Sequence, residues 1–391
     1  MFELVSEYNQ NAEIKVIGVG GGGGNAVISM LESKIVGAEF IVANTDSQAL
    51  AEASKKGATM IQIGSDITKG LGAGADPEKG RQAALEAKEE LSAAISGADM
   101  LFIAAGMGGG TGTGAAPVIA QLARDAGILT VAVVSKPYEY EGVRRTKHAE
   151  EGIAALSEWV DSLIVIPNEK LAEVYGSDDS IFSSFDNAND VLRGAVKGIA
   201  EIITIRGHIN VDFADVKTVM SGRGKAMMGS AVASGDNRAT EAVEKALSSP
   251  LLDNMHLKNA TGVLCNITAG ADLKQSEFNL IGQKVKEIAG EDATTIIGCI
   301  KEDENVGELR VTLIATGFDN NEELSVDDDH VNYQNPNNLS SGISNANINK
   351  TFTTNPLDNT NVLSTEEPII ENDKINVNDV EVPAFLRQQA D

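Results

Sequence analysis

Short apolar runs alternate with longer helical stretches along the first 180 residues of the chain. IKVIGVG (14–20), EFIVANTD (39–46), MIQIG (60–64), MLFIAA (100–105), ILTVAVVS (128–135) and SLIVIP (162–167) are rich in β-branched residues and read as strands. Most of them lack apolar–polar alternation, which fits strands covered on both faces. Between them, Asn25 to Glu32, residues 75–95 with Pro77 in the first turn, and about Thr113 to Ala126 read as helices. Strand, crossover helix and strand in this rhythm predict a parallel sheet with helices on both faces.

A longer helix follows at 182–204, where Phe185, Ala188, Leu192, Ala195, Ile199 and Ile202 recur every three or four residues as one apolar stripe. GVLCNITAG (262–270), TTIIGCI (294–300) and ELRVTLIATG (308–317) then read as strands of a smaller mixed domain, with a helix near 275–289. From residue 318 to 391 there are 14 acidic and 3 basic residues, many Asn and few large apolar side chains, a composition expected to stay disordered. The terminal VPAFLRQQAD regains apolar and basic residues, as a short recognition motif would. The expected architecture is α/β. A flexible arm (1–11) precedes a Rossmann-like parallel-sheet domain (12–181) and a central helix (182–204). A smaller α+β domain with a mixed sheet (205–317), a disordered acidic linker (318–380) and a terminal partner-binding peptide (381–391) complete it.

At 391 residues, with 42% hydrophobic and only 4% aromatic content, the chain is long enough for two domains with real cores. A formal charge of −26 argues against nucleic acid as a main partner and against adsorption to anionic lipid. Cys265 and Cys299 lie in apolar runs and are expected to be buried thiols in a reducing compartment. The amino terminus has no basic region leading into an apolar stretch, and no apolar run approaches the ~20 residues of a spanning helix. A soluble cytoplasmic protein without membrane insertion is the expectation.

Two glycine-rich segments carry the candidate chemistry: GVGGGGGN (18–25) and AAGMGGGTGTGAAP (104–117), each placed between a strand and a helix. Glycine lets backbone amides approach a ligand closely, and a helix start adds its dipole, so each segment is a candidate anion site. Thr111 and Thr113 add hydroxyls for phosphate oxygens or a metal. A Walker A loop is excluded, because no Lys occurs between Lys88 and Lys136. Gly18, Gly20 and Gly23 also satisfy a dinucleotide fingerprint, with Asp46 at about the right distance. Two such loops in one sheet suit a ligand with several phosphates. A nucleoside triphosphate and a dinucleotide both remain open at this point.

GGGTGTG (108–114), together with GGGGGN (20–25), NTD (44–46), NVDFADV (210–216) and the tail VPAFLRQQAD, resembles the FtsZ branch of the tubulin superfamily over residues 12–317 and again in the last ten. The resemblance implies a GTPase that binds GTP or GDP with Mg²⁺ and polymerises head to tail into filaments of the cytokinetic ring. By this likeness the phosphates meet Gly21, Gly22, Gly23, Gly24 and Asn25 in the first loop. In the second loop they meet Gly108, Gly109, Gly110, Thr111 and Gly112. Glu141 and Arg145 map to ribose contacts, Asn168 and Asn189 to guanine, and Phe185 to stacking on the base.

The same resemblance makes Asp212 and Asp215, at i and i+3 on a helix start, a catalytic pair that acts with Asn210 on the nucleotide of the next subunit. It implies that residues 381–391, through Pro383, Phe385, Leu386 and Arg387, bind membrane tethers and regulators of FtsA, ZipA or MinC type. A flexible linker of about 60 residues would span roughly 40–50 Å. The location implied is the cytoplasmic face of the mid-cell division site. TIRGHIN (204–210) departs from the family's usual Pro-Gly pair by carrying Arg206 and His208, and SGRGKAMMG (221–229) carries Arg223 and Lys225 as extra cations. A Rossmann-type dehydrogenase is the first competing reading, disfavoured by the second glycine loop and by only four His (His148, His208, His256, His330). A nucleotide-binding scaffold without hydrolysis is the second, disfavoured by the presence of both Asp212 and Asp215.

Overall fold

A computed structural model of the chain describes residues 12–318 except 176–179, 206–208, 210, 223, 253–259, 291–292 and 303–305. The expected amino-terminal arm, acidic linker and terminal peptide lie outside the described residues, as do Arg206, His208, Asn210, Arg223 and the tail residues Pro383, Phe385, Leu386 and Arg387. The chain opens with β1 (Ile14–Val19), α1 (Gly20–Glu32), β2 (Ala38–Asn44), α2 (Ser47–Lys55), β3 (Thr59–Gln62) and α3 (Ser65–Thr68). It continues through α4 (Pro77–Glu86), α5 (Lys88–Ile95), β4 (Met100–Gly106), α6 (Thr111–Asp125), β5 (Leu129–Lys136), α7 (Val143–Ser157), β6 (Ser162–Pro167) and α8 (Asn168–Tyr175). After the long α9 (Ile181–Thr204) come α10 (Phe213–Met220), β7 (Gly224–Ser234) and α11 (Arg238–Leu247). The last elements are β8 (Gly262–Ala269), α12 (Gln275–Ile288), β9 (Thr294–Lys301) and β10 (Glu308–Phe318).

Among the described residues ten strands form one sheet, in the order β3-β2-β1-β4-β5-β6-β7-β10-β8-β9. Pairing is parallel from β3 to β7, antiparallel where β10 meets β7 and β8, and parallel again between β8 and β9. Neighbouring residues of the central strands feed opposite cores. Val16, Phe102 and Val131 pack under α1, α2 and α9, whereas Ile17, Ile103 and Ala132 pack under α4, α5, α6 and α7. Burial on both faces is why these strands show no apolar–polar alternation. A third core gathers α11 and α12 on β8 and β10.

Three elements differ from the sequence expectation. The first helix starts at Gly20 rather than at Asn25, so four further glycines lie in its opening turns. Glycine is a poor helix former, but a Cβ on Gly23 would fall on the Ala104 carbonyl oxygen, so α1 lies against β4 at a distance only glycine permits. The stretch 75–95 is two helices broken at Ala87, which nothing in the local sequence marks. Strand β7, rich in Gly, Ser, Met and Ala, carries little β signal and is held by its pairing with β10. Of the two cysteines Cys265 is buried, its thiol pushed up to about 12 by desolvation, but Cys299 is only half-buried.

Candidate functional site

Strands β1, β4, β5 and β6 end on the same edge of the sheet, and a cavity of about 320 Å³ lies there. Two helices begin at its wall, α1 directly after β1 and α6 four residues after β4. Neither has a side-chain N-cap or an acidic residue in its first turn. The orphan amides and positive dipole ends of both helices are therefore uncompensated and converge on one space, a ready anion site.

The glycines of the two loops include two contrasting pairs. Gly20 (φ +72) and Gly108 (φ +95) have left-handed backbone, and a Cβ would come 2.8 Å from the Gly112 nitrogen or 2.7 Å from the Arg145 carbonyl. They let the loops lie against their neighbours. Gly21 and Gly109, unlike those two, line the cavity, and a Cβ there would meet nothing within 4 Å. Packing does not demand glycine at these two positions; the empty space in front of them is the volume a ligand would fill.

Thr111, the first residue of α6, lines the cavity with its Oγ1 2.6 Å from the Oγ1 of the buried Thr45. The Thr113 hydroxyl instead accepts the Gly108 amide at 2.8 Å and is turned away from the cavity wall. The far end of the cavity has a different chemistry. Asn168 is buried there, and among the described residues its Oδ1 has no hydrogen-bond partner. A buried acceptor left unpaired costs about 1–3 kcal/mol, so Asn168 Oδ1 suits a ligand that brings a donor.

Phe185 and Asn189, one turn apart on α9, face the same end. The apolar stripe on α9 buries Ala188, Leu192, Ala195, Ile199 and Ile202, but Phe185 leaves it and stays 42% exposed, edge-on to Tyr138 with ring centroids 5.8 Å apart. A half-open aromatic face beside an unpaired amide suits a planar heteroaromatic ring that carries donors. Glu141 and Arg145 stand along the same wall. The Glu141 carboxylate accepts the Tyr138 amide at 2.9 Å and receives Arg145 Nε at 3.1 Å.

Gly21, Gly22, Asn25, Gly109, Gly110, Thr111 and Gly112 thus share one cavity with Glu141, Arg145, Asn168, Phe185 and Asn189. Gly23 and Gly24 are buried on the sheet side of α1 and do not line it, and the Gly108 amide is already bonded to Thr113. Ser135, the next-to-last residue of β5, and Pro137, just past its end, also line the cavity and were not foreseen. Their place at the end of a central parallel strand is the signal that could have found them.

Asp212 and Asp215 are elsewhere. Asp212 caps α10, its Oδ1 accepting the Asp215 amide at 2.8 Å, and both side chains are exposed. The 24 residues of α9, about 36 Å of helix, carry the chain from the cavity to the opposite edge of the sheet. There the Thr204 hydroxyl donates to the Val36 carbonyl just before β2, and Ser162, the first residue of β6, donates to the Met220 carbonyl. The acidic pair and the cavity of one chain stand at opposite ends of the parallel strands.

A larger cleft, about 700 Å³, lies between α9 and strands β7, β8 and β10, but neither glycine loop reaches it. Burial raises the Glu201 carboxyl on its wall, partly offset by Lys197 at 3.4 Å. Among the described residues no helix is long and apolar enough to cross a membrane.

Comparison with known proteins gives the family of the chain. Residues 13–176 match the sequence model of the Tubulin/FtsZ family, GTPase domain, and residues 224–319 that of the FtsZ family, C-terminal domain. Cell division protein FtsZ of Coxiella burnetii is 56% identical over 318 residues, covering 81% of this chain and 82% of that protein. Its counterpart in Wigglesworthia glossinidia brevipalpis is 50% identical over 399 aligned positions, spanning 100% of both chains. Among solved structures, an empty FtsZ dimer from M. jannaschii superposes with a TM-score of 0.75 at 43% identity, over 79% of this chain and 89% of that one. With its fold, its two matched domains and its full-length relative in agreement, the chain belongs to the FtsZ family, the GTP-dependent polymerising cell-division proteins related to tubulin.

Proposed function

We propose that GTP fills the cavity of one subunit and that the next subunit of a head-to-tail filament completes the active site with Asp212 and Asp215. The observation that carries this reading is the separation just described: the acidic pair cannot address the cavity of its own chain, but repeating one polar contact would bring each pair to the next cavity. Exposed apolar side chains support docking at the cavity end. Val143 opens α7 beside Glu141 and is 86% exposed, and Leu71 is equally exposed on the loop whose Ala73 packs on Gly110.

In this reading the amides at the starts of α1 and α6 hold the phosphates, with Asn25 beside them. Glu141 and Arg145 hold the ribose, Phe185 stacks on guanine, and Asn168 and Asn189 bond its polar edge. The Asn168 acceptor suits the N–H groups of guanine. The incoming carboxylates of Asp212 and Asp215, with Asn210 of the same segment, orient and polarise the attacking water while the amides stabilise charge on the phosphates. Mg²⁺ would neutralise phosphate charge. Among the described residues no group of three or more His, Cys, Asp or Glu could hold it, so the phosphates themselves would supply most of its ligands. Residues 381–391 would tether the filaments through FtsA-, ZipA- or MinC-like partners at the cytoplasmic face of the mid-cell membrane.

The test is GTP hydrolysis per protein molecule, with Mg²⁺, across a concentration series. Activity per molecule should be near zero below a threshold and rise above it. A constant value would overturn the shared site, and no hydrolysis at any concentration would favour a nucleotide-binding scaffold.

A further inference from the structure

Behind the glycine wall lies a hydroxyl that the reading above leaves unused. Thr45, in the turn after β2, has no exposed surface, and among the described residues its Oγ1 makes one hydrogen bond, to Thr111 Oγ1 at 2.6 Å. Its backbone is held from two sides. Asn44 Oδ1 accepts the Thr45 amide at 2.8 Å, and the Thr45 carbonyl accepts the Thr68 hydroxyl at 3.2 Å and the Gly72 amide at 3.3 Å. Thr45 is therefore a fixed point, and Thr111 stands between it and the cavity.

Two hydroxyls joined by one hydrogen bond have two proton arrangements. When Thr111 donates to Thr45, it turns only lone pairs toward the cavity, which repel phosphate oxygens. When Thr45 donates to Thr111, the Thr111 proton is released to point into the cavity and bond an anion. The residue behind the wall decides which face Thr111 shows. We propose that Thr45 is a positioning residue for the triphosphate: it donates its proton to Thr111 and so presents Thr111 as a donor to the bound phosphates. This rests on the cavity being a phosphate cradle, as proposed above. Thr45 touches no ligand itself; it acts through Thr111.

The experiment is binding of GTPγS, a slowly hydrolysed analogue, by displacement of a fluorescent GDP below the assembly threshold, using full-length Thr45→Val, Thr45→Ser, Thr111→Val and the Thr45→Val/Thr111→Val double variant. Valine keeps the buried volume of Thr45 and removes only the hydroxyl. The Thr111 hydroxyl itself bonds the phosphates, so Thr111→Val should weaken binding about tenfold, while Thr45→Val, which leaves that hydroxyl without the hydrogen bond that orients it, should weaken binding several-fold. The double variant should bind no more weakly than Thr111→Val, since both changes remove one interaction. Thr45→Ser should restore binding to within about twofold of the native chain. Additive losses in the double variant, or a Thr45→Val that melts earlier yet binds as tightly as the native chain, would overturn the positioning role. If Thr111→Val is impaired and Thr45→Val is not, the positioning role fails while the phosphate cradle stands. If Thr111→Val binds normally, the reading of the cradle at that residue fails, and the inference with it. Should Thr45→Val not fold, Thr45→Ala carries the same comparison.

Discussion

The Asp212 carboxylate accepts the backbone amide of Asp215 at 2.8 Å, so one side chain both caps α10 and stands in the acidic pair. Capping needs an oxygen at that position, whereas polarising a water needs the charge. Asp212→Asn separates the two. It should fold and bind nucleotide like the native chain, because the cavity is at the other edge of the sheet, yet lose about 100-fold or more in GTP turnover. Asp212→Ala should lose the same turnover and a further ~1 kcal/mol of stability. Turnover, nucleotide affinity and the urea midpoint, measured side by side, decide this. Equal stability for both variants would refute the capping role, and near-native turnover in Asp212→Asn would refute the catalytic one.

Asn168 offers a test in which stability and binding move apart. Among the described residues its Oδ1, on the cavity wall, accepts no hydrogen bond, so Asn168→Ala removes no internal hydrogen bond at that oxygen. The nucleotide-free chain should melt no earlier than the native one, while affinity for GTP should fall by about tenfold or more as the guanine contact disappears. An earlier melt with unchanged affinity would show that the side chain serves the fold rather than the ligand.

The two kinds of glycine predict opposite outcomes for one methyl group. Gly21→Ala adds a methyl to open space in the first turn of α1, so the empty protein should be as stable as the native chain or up to ~1 kcal/mol more so, while nucleotide binding weakens. A Cβ at Gly114 would meet the Pro77 carbonyl oxygen and come 2.6 Å from the Arg81 amide, so Gly114→Ala should separate α4 from α6 and lower the melting temperature without any ligand present. Thermal melts with and without GDP distinguish the two.

In the carboxy-terminal region Arg238 is 4% exposed and grips Glu277 with Nε at 2.8 Å and Nη2 at 3.0 Å, while Nη1 reaches Asp272 at 2.6 Å. The guanidinium holds both carboxyls below their ordinary range. A carboxyl whose folded value is depressed stabilises the fold above its unfolded value, near pH 4, and that contribution is lost as pH falls through the folded value. Arg238→Met should cost ~2 kcal/mol near neutral pH, because the partly buried Glu277 would lose its cation and keep only the Lys274 amide as a partner. The gap to the native chain should narrow as the pH is lowered through the range of these two carboxyls. Urea unfolding at pH 7 and at several acid values measures it, and a gap independent of pH would mean that Arg238 acts through packing alone.

The parallel strands were legible because burial on both faces leaves uninterrupted β-branched runs, and the glycine loops because six glycines within 104–117 suit close approach of backbone to a ligand. Strand β7 was not legible. Its Gly, Ser and Ala carry no periodic signal, and its state comes from β10, more than seventy residues later in the chain. Gly21 and Gly23 look alike in the sequence, yet one borders empty space and the other a carbonyl oxygen of β4. No local pattern separates them, because the difference lies in what packs against each.

By itself the sequence determined the central parallel strands and the long helix, that two glycine loops follow β1 and β4, and that an acidic pair stands at a helix start. These depend on side chains within a turn or two of one another. Tertiary structure alone decided that Phe185 leaves its helical stripe for the cavity, that Thr45 stands behind Thr111, and that Asp212 lies a helix-length from the cavity of its own chain. Those relations are set by contacts between residues tens of positions apart, where packing and buried hydrogen bonds outweigh any preference a local stretch can express.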